Sequence, residues 1–235
     1  MLRLVTEERA VAIVLAAGAG RRVGAEQPKA FLPIGGRPIL AVAAAAAAAS
    51  PAIDALIVTA PAGYEDPALA CVEGLPVPAI VVTGGSSRQE SVRLALAALG
   101  SDVTVVVVHD AARPFAPPDL FTEVVRAVLD GADGAIPVVP VTDTVKRIHG
   151  GRVVATVDRR DLGLAQTPQA FRVSTLRAAH EAAAVDGVEV TDDAMLLEGE
   201  GEGVVAEVPG DPMNVKVTTL LDLAQADARM GGGDA

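Results

Sequence analysis

Tryptophan is absent, and aromatic residues make up only 2% of a chain that is 51% hydrophobic. A core with so few rings must be built from Ala, Val, Leu and Ile. Cysteine occurs once, as Cys71, which excludes an internal disulfide and fits a reducing cytoplasm. Lysine is nearly missing too: of 19 basic residues, only Lys29, Lys146 and Lys216 are lysines. Acidic residues number 30, giving a formal net charge of −11. That balance argues against a general nucleic-acid-binding surface, so any anionic ligand must be met by a local cluster of Arg and Lys. No run reaches the ~20 uninterrupted apolar residues of a membrane span. The N-terminus MLRLVTEERA brings in acids directly after a few apolar residues and lacks the long apolar stretch of a signal peptide. A cytoplasmic protein with neither nucleic acid nor membrane as partner is expected.

What is present is regular alternation. At 235 residues the chain predicts one domain spanning 1–235, long enough for a full α/β core. Apolar, β-branched runs predict strands at Val11–Ala16, Ile53–Ala60, Ala79–Thr83, Val103–His109 and Gly134–Val139. Between them, Ile39–Ala49, Glu65–Val72, Arg88–Leu99 and Pro118–Leu129 predict helices. The alanine run Ala43–Ala49 reads as a tightly packed helix, since Ala is the best helix former. Continuous apolar strands alternating with helices predict a mostly parallel, Rossmann-like twisted sheet with helices on both faces and ligands at the carboxyl ends of its strands. The pattern breaks after Val141. Val145–Ile148, a His-Gly-Gly turn and Val153–Thr156 predict a β-hairpin, part of a projecting arm at about 141–164. A hairpin without a core of its own is marginal in water, so a second subunit is the economical support for it. A helix at Ser174–Val185, a short helix after Thr191, a strand around Gly203–Val208 and a helix from Thr218 to Met230 follow. The tail 231–235, GGGDA, is expected to be disordered.

The stretch AAGAGRRVGAEQPKAF, residues 16–31, follows the first predicted strand. Glycines let backbone N–H groups approach a ligand, and such groups cradle phosphates. The loop is no Walker A, having no GK[ST], and no dinucleotide fingerprint, since no clean helix start follows. Arg22 and Lys29 in the same irregular loop supply the cations that a polyphosphate requires. The scarcity of lysine agrees, because a compact ammonium suits a single phosphoryl oxygen in a tight space better than a planar guanidinium does.

With AAG before these cations and PKAF after them, the loop resembles the signature of nucleotidyltransferases that activate sugars and sugar alcohols. Further blocks narrow the resemblance: GGSSRQESV (84–92), VHDAARPF (108–115), DTVKR (143–147), TVDRRDLGLAQTPQAF (156–171), TDDA (191–194) and NVKVTT (214–219). In this order, from about Val11 to the last helix, the chain resembles the 2-C-methyl-D-erythritol 4-phosphate cytidylyltransferases.

The resemblance implies a nucleotidyltransferase fold, with CTP and 2-C-methyl-D-erythritol 4-phosphate as substrates and Mg²⁺ or another divalent cation as cofactor. It implies that CTP is held by Ala16, Ala17, Gly18, Gly20, Arg22, Lys29, Gly84, Gly85, Ser91 and Lys216. For the acceptor it implies Asp110, Arg113, Thr144, Arg159, Thr167 and Thr191, with Thr144 and Arg159 reaching a neighbour's site from the arm of a homodimer. The catalytic cations would be Arg22, Lys29, Arg159 and Lys216. Asp110 could approach the metal, which is held mainly through substrate phosphates. Plainer readings stand beside these: a helix cap for Ser86 or Ser87, a solvated charged hairpin for the arm, and a packed end-of-strand residue for His109. The alternatives are a ribitol 5-phosphate cytidylyltransferase of the same fold and a non-catalytic nucleotide-binding regulator.

Overall fold

The run RAVAIVL forms strand β1 (Arg9–Leu15), buried along most of its length. Successive side chains of a strand point to opposite faces, and here each face meets its own core. Ala10, Ala12 and Val14 pack with helices α1 (Ile39–Ala48), α2 (Glu65–Val72) and α4 (Pro118–Leu129). Val11 and Ile13 pack with α3 (Arg88–Ala97) and α5 (Val173–Asp186) on the other side. The structure, a computed structural model, describes residues 8–18, 27–198 and 203–231.

Strands β4 (Ala55–Ala60) and β5 (Ala79–Thr83) extend the sheet from one edge of β1, and β6 (Val103–Asp110) lies against its other edge, all parallel. The chain thus moves outward through β4 and β5, then crosses back over β1. That reversal opens a crevice between the carboxyl ends of β1 and β6, where ligands bind in open α/β sheets. Beyond β6, strand β11 (Gln169–Arg172) is antiparallel to both β6 and β7 (Gly134–Pro140). Strand β10 (Gly163–Ala165) also pairs antiparallel with β7, and β12 (Val205–Pro209) pairs with it in parallel, completing an eight-stranded, mostly parallel sheet.

The alanines of α1 do structural work. Ala43, Ala44 and Ala47 are fully buried, and their small side chains let the helix axis approach the sheet. A larger residue there would overpack the core at a cost of about 1–3 kcal/mol. Helix α3 starts at a cap: the Ser87 hydroxyl accepts from the Glu90 N–H at 3.0 Å, while the Glu90 carboxylate accepts from Ser86. Helix α6 (Leu220–Gly231) begins two residues later than expected. Asp222 accepts from the N–H groups of Thr218 and Thr219, and the Thr219 hydroxyl accepts from the Asp222 N–H, a reciprocal cap that leaves Thr218 outside the helix. Gly231 closes α6 instead of opening the tail; residues 232–235 lie outside the described ones.

A small third core joins α6 to the chain after β1. Leu32, Ile34, Ile39, Val217 and Ala226 cluster there, under the two-residue ladder of β2 (Pro33–Ile34) and β3 (Arg37–Pro38). Arg229 stacks over the Phe115 ring at 4.2 Å and donates to the Met213 carbonyl, so α6 clamps the segment that carries Lys216.

The arm is a hairpin of β8 (Lys146–His149) and β9 (Arg152–Thr156), turned by Gly150 and Gly151 at φ of 54° and 74°. Those left-handed values suit glycine and match the twist of a two-residue hairpin. Every residue of both strands is exposed, Ile148, Val153 and Val154 among them. The polar run Gln166–Gln169 leads into the sheet: Gln169 opens β11, and Gln166, Thr167 and Gln169 are all buried.

Candidate active site

The crevice at the carboxyl ends of β1, β4, β5 and β6 holds a cavity of ≈ 710 Å³. Ala16, Ala17 and Gly18 line it from the end of β1, and Gly84, Gly85 and Ser91 from the start of α3. Lys29, Asp110 and Lys216 face them. These nine residues, predicted from separate blocks of the sequence, are brought together. Gly20 and Arg22 lie outside the described residues.

One wall is narrow by construction. A Cβ added to Gly84 would stand 2.2 Å from the Ala17 Cβ and 3.0 Å from the Ser91 hydroxyl. That hydroxyl accepts from the Gly85 N–H at 3.0 Å and donates to the Ser87 carbonyl at 2.8 Å, fastening the loop against α3. The result is a slot walled by Ala17, Gly84 and Ser91.

The opposite wall carries the charge. Lys29 sits in the short 3-10 turn Lys29–Phe31 and donates to the Val217 carbonyl at 2.6 Å. Lys216 donates to Asp110 Oδ2 at 2.6 Å. The other Asp110 oxygen receives the Arg88 Nε–H at 3.3 Å. Burial alone would raise the Asp110 carboxyl, but the Arg88 guanidinium and the Lys216 ammonium outweigh it and hold the group well below the usual carboxylate range. Arg88 also pairs with Asp193 at 2.7 Å; burial opposes its charge, yet the two carboxylates make it hold its proton more tightly than usual.

Behind Asp110 lies a chain of hydrogen bonds with a fixed direction. His109 is fully buried, and desolvation pushes its pKa down to about 4, so the ring is neutral at pH 7. Its Nε2 faces the Arg113 carbonyl at 3.1 Å. A carbonyl only accepts, so Nε2 carries the hydrogen and Nδ1 is bare. Thr167 Oγ1, 3.1 Å away, therefore donates to Nδ1 and accepts from the Asp110 N–H at 3.0 Å. His109 is a packed end-of-strand residue, as expected, and it also sets the orientation of the Thr167 hydroxyl.

The remaining predicted residues sit elsewhere. Arg113 donates to the carbonyls of Asn214 and Ala165, bracing the loop before Lys216. Thr191 is exposed, with its hydroxyl toward the Met195 sulfur. Thr144 and Arg159 are exposed in the arm and do not line the cavity of their own chain. Arg88 and Thr218 line it without having been singled out from the sequence. Arg88 lies within the GGSSRQESV block, but its partners are Asp110 and Asp193, and no local pattern signals pairing at that distance along the chain.

Among the described residues no cluster of three or more His, Cys, Asp or Glu could hold a metal ion, and Asp110 is the one carboxylate lining the cavity. Its two oxygens already meet cations. A Mg²⁺ bound there would have to be carried chiefly by substrate phosphates, and Asp110 could join it only by giving up Lys216 or Arg88. No helix among the described residues is long and apolar enough to cross a membrane.

The family model for 2-C-methyl-D-erythritol 4-phosphate cytidylyltransferase matches residues 10–232. The chain belongs to that family. A cytidylyltransferase of this name from Corynebacterium diphtheriae is 45% identical over 227 residues, covering 94% of this chain and 93% of the relative. One from Saccharopolyspora erythraea is 46% identical over 222 residues, covering 93% and 97%. Among solved structures, 4-diphosphocytidyl-2C-methyl-D-erythritol synthase from Anaerococcus prevotii superimposes with a TM-score of 0.84 at 30% identity, covering 95% of this chain and 99% of that one. The cytidylyltransferase of Thermus thermophilus gives 0.77 at 36% identity, covering 94% and 98%. The cavity described above thus belongs to a chain that follows this cytidylyltransferase family from β1 through α6.

Proposed function

We propose that the chain transfers the cytidylyl group of CTP to 2-C-methyl-D-erythritol 4-phosphate, giving 4-diphosphocytidyl-2-C-methyl-D-erythritol and pyrophosphate in non-mevalonate isoprenoid precursor biosynthesis. The observation that carries this reading is the match of the family model across residues 10–232. An oxygen of the acceptor's phosphate attacks the α-phosphorus of CTP, the bond to the β-phosphate oxygen breaks, and pyrophosphate leaves with that electron pair. The nucleophile is already an anion, so no strong base is needed; positioning and charge stabilisation do the chemistry.

The slot at Ala17, Gly84 and Ser91 suits a flat pyrimidine ring and leaves little width for a purine. Lys29 and Lys216 face the space beside it, with Arg22 assigned to the same triphosphate by sequence. Asp110 orients the sugar-alcohol side, and a bound Mg²⁺ would spread the triphosphate charge. Thr167 is buried behind Asp110 and outside the cavity lining; toward an acceptor hydroxyl it could only accept, because its own hydrogen is already given to His109. The exposed apolar residues Ile148, Val153 and Val154 support an arm that docks on a second copy, carrying Thr144 and Arg159 to the neighbour's acceptor phosphate. The single cysteine, which can form no internal disulfide, supports a reducing cytoplasm as the place of work.

Pyrophosphate release on mixing CTP, Mg²⁺ and the acceptor tests the reaction. Release with 2-C-methyl-D-erythritol 4-phosphate well above that with ribitol 5-phosphate is expected; the reverse order would replace the acceptor, and silence with both would remove catalysis.

A further inference from the structure

Arg88 occupies the first position of α3, with its side chain in the wall of the cavity. Its Nε–H meets Asp110 at 3.3 Å and its Nη1 meets Asp193 at 2.7 Å. Asp193 has no exposed surface, and its second oxygen is held by His180 Nε2 of α5 at 3.0 Å. A line of charged and polar groups therefore runs from the interior of α5 to the carboxylate in the cavity. We propose that Arg88 is a positioning residue for cytidylyl transfer, clamped by Asp193 and His180 so that Asp110 stays fixed when Lys216 turns from it to a phosphate. This rests on the reaction proposed above.

Two differences between the cations support the division of labour. Lys216 is 41% exposed and makes one contact with Asp110, so its flexible stem can swing; Arg88 is 25% exposed and tied at both ends. An ammonium leaving Asp110 would bare a carboxylate beside an arriving triphosphate unless a second cation stayed. A planar guanidinium can bridge two carboxylates at once, which an ammonium on a flexible stem does less well. Stability does not account for the arrangement. The Arg88 Nη2 is buried without a partner among the described residues, and buried ion pairs that leave donors unsatisfied are poor stabilisers.

The test is a double-mutant cycle on the full-length protein with Arg88→Met, Asp110→Asn and both together, reading kcat and acceptor KM by pyrophosphate release. Arg88→Met should lower kcat/KM by about a hundredfold, the scale of loss caused by an ångström of misplacement. In the Asp110→Asn background the same change should cost nothing further, because Arg88 acts through Asp110. Equal losses in both backgrounds, with the wild type active, would overturn the clamp while leaving the reaction standing. An inactive wild type would overturn both. Full activity in Arg88→Lys would also overturn it, since charge alone would then suffice. If Arg88→Met does not fold, Asp193→Asn takes its place in the cycle, and additive losses there would overturn the clamp in the same way.

Discussion

Lys216 and Asp110, 106 residues apart, meet at 2.6 Å across the floor of the cavity. The contact joins the end of β6 to the segment clamped by α6, beside the Val217 N–H that donates to the Ala112 carbonyl at 2.8 Å. Asp110→Asn leaves Lys216 and Arg88 facing a neutral amide in a largely buried place. Unfolding in urea should show a loss of about 3 kcal/mol, the scale for removing one partner of a buried pair. Lys216→Met should behave differently: because the ammonium is partly exposed, stability should change little, while turnover falls on the order of a hundredfold if the proposed role of this charge at the reacting phosphates holds. Equal damage to stability from both substitutions would refute this account of the pair.

Gly84 sets the width of the slot proposed for the base. An alanine there must push against the Ala17 Cβ at 2.2 Å, a separation that real side chains do not tolerate. The CTP KM of Gly84→Ala should rise on the order of tenfold or more, since a displaced wall loses part of the ring's contacts. Acceptor KM and thermal midpoint should move less. A variant with wild-type CTP affinity would place the ring elsewhere.

His109 predicts a pH dependence of stability. Its ordinary pKa of 6.5 falls to about 4 in the folded chain. Between these values the unfolded chain binds a proton that the folded chain refuses. Stability from this residue is thus complete above pH 6.5 and is lost as pH falls toward 4, by about 3 kcal/mol in all. Urea unfolding of the wild type at about pH 6.5 and about pH 4.5 should show most of that drop, and His109→Gln should show a shallower one. Parallel slopes in the two proteins would count against a neutral buried ring.

The arm makes a prediction about mixtures. If Arg159 serves the neighbour's site, Lys29→Ala and Arg159→Ala subunits are each inactive alone, but a mixed dimer holds one intact site. Denaturing, mixing equal amounts and refolding should restore about a quarter of wild-type activity, the share expected from random pairing in a two-fold dimer. Activity no higher than that of the separate variants would confine Arg159 to its own chain.

The outward half of the sheet is legible in the sequence because parallel strands buried on both faces must be continuous apolar runs; Ala79–Thr83, Glu65–Val72 and Pro118–Leu129 have the bounds that the sequence predicts. Strand β11 is not. Its partners on both sides satisfy its backbone, but Gln166 and Gln169 are polar because they serve a network with Asn214, Asp211 and Asp192. The nine residues brought together at the cavity are readable from their blocks. Arg88 escapes a sequence reading because the glycines and serines around it have roles of their own, and its partners lie 22 and 105 residues away. Strands β2 and β3, two residues each, are too short to leave a pattern.

Strand β11 also bears on how the molecule is made. It fills the place between β6 and β7, yet it emerges from the ribosome after both. Until then the growing chain carries β6 with an open edge and β7 with only the late, three-residue β10 to pair it, two templates for pairing with a neighbouring nascent chain. Completion of the central layer is a late, long-range event, and slow translation or truncation between residues 140 and 169 would leave the unpaired edge of β6 open to clumping for longer.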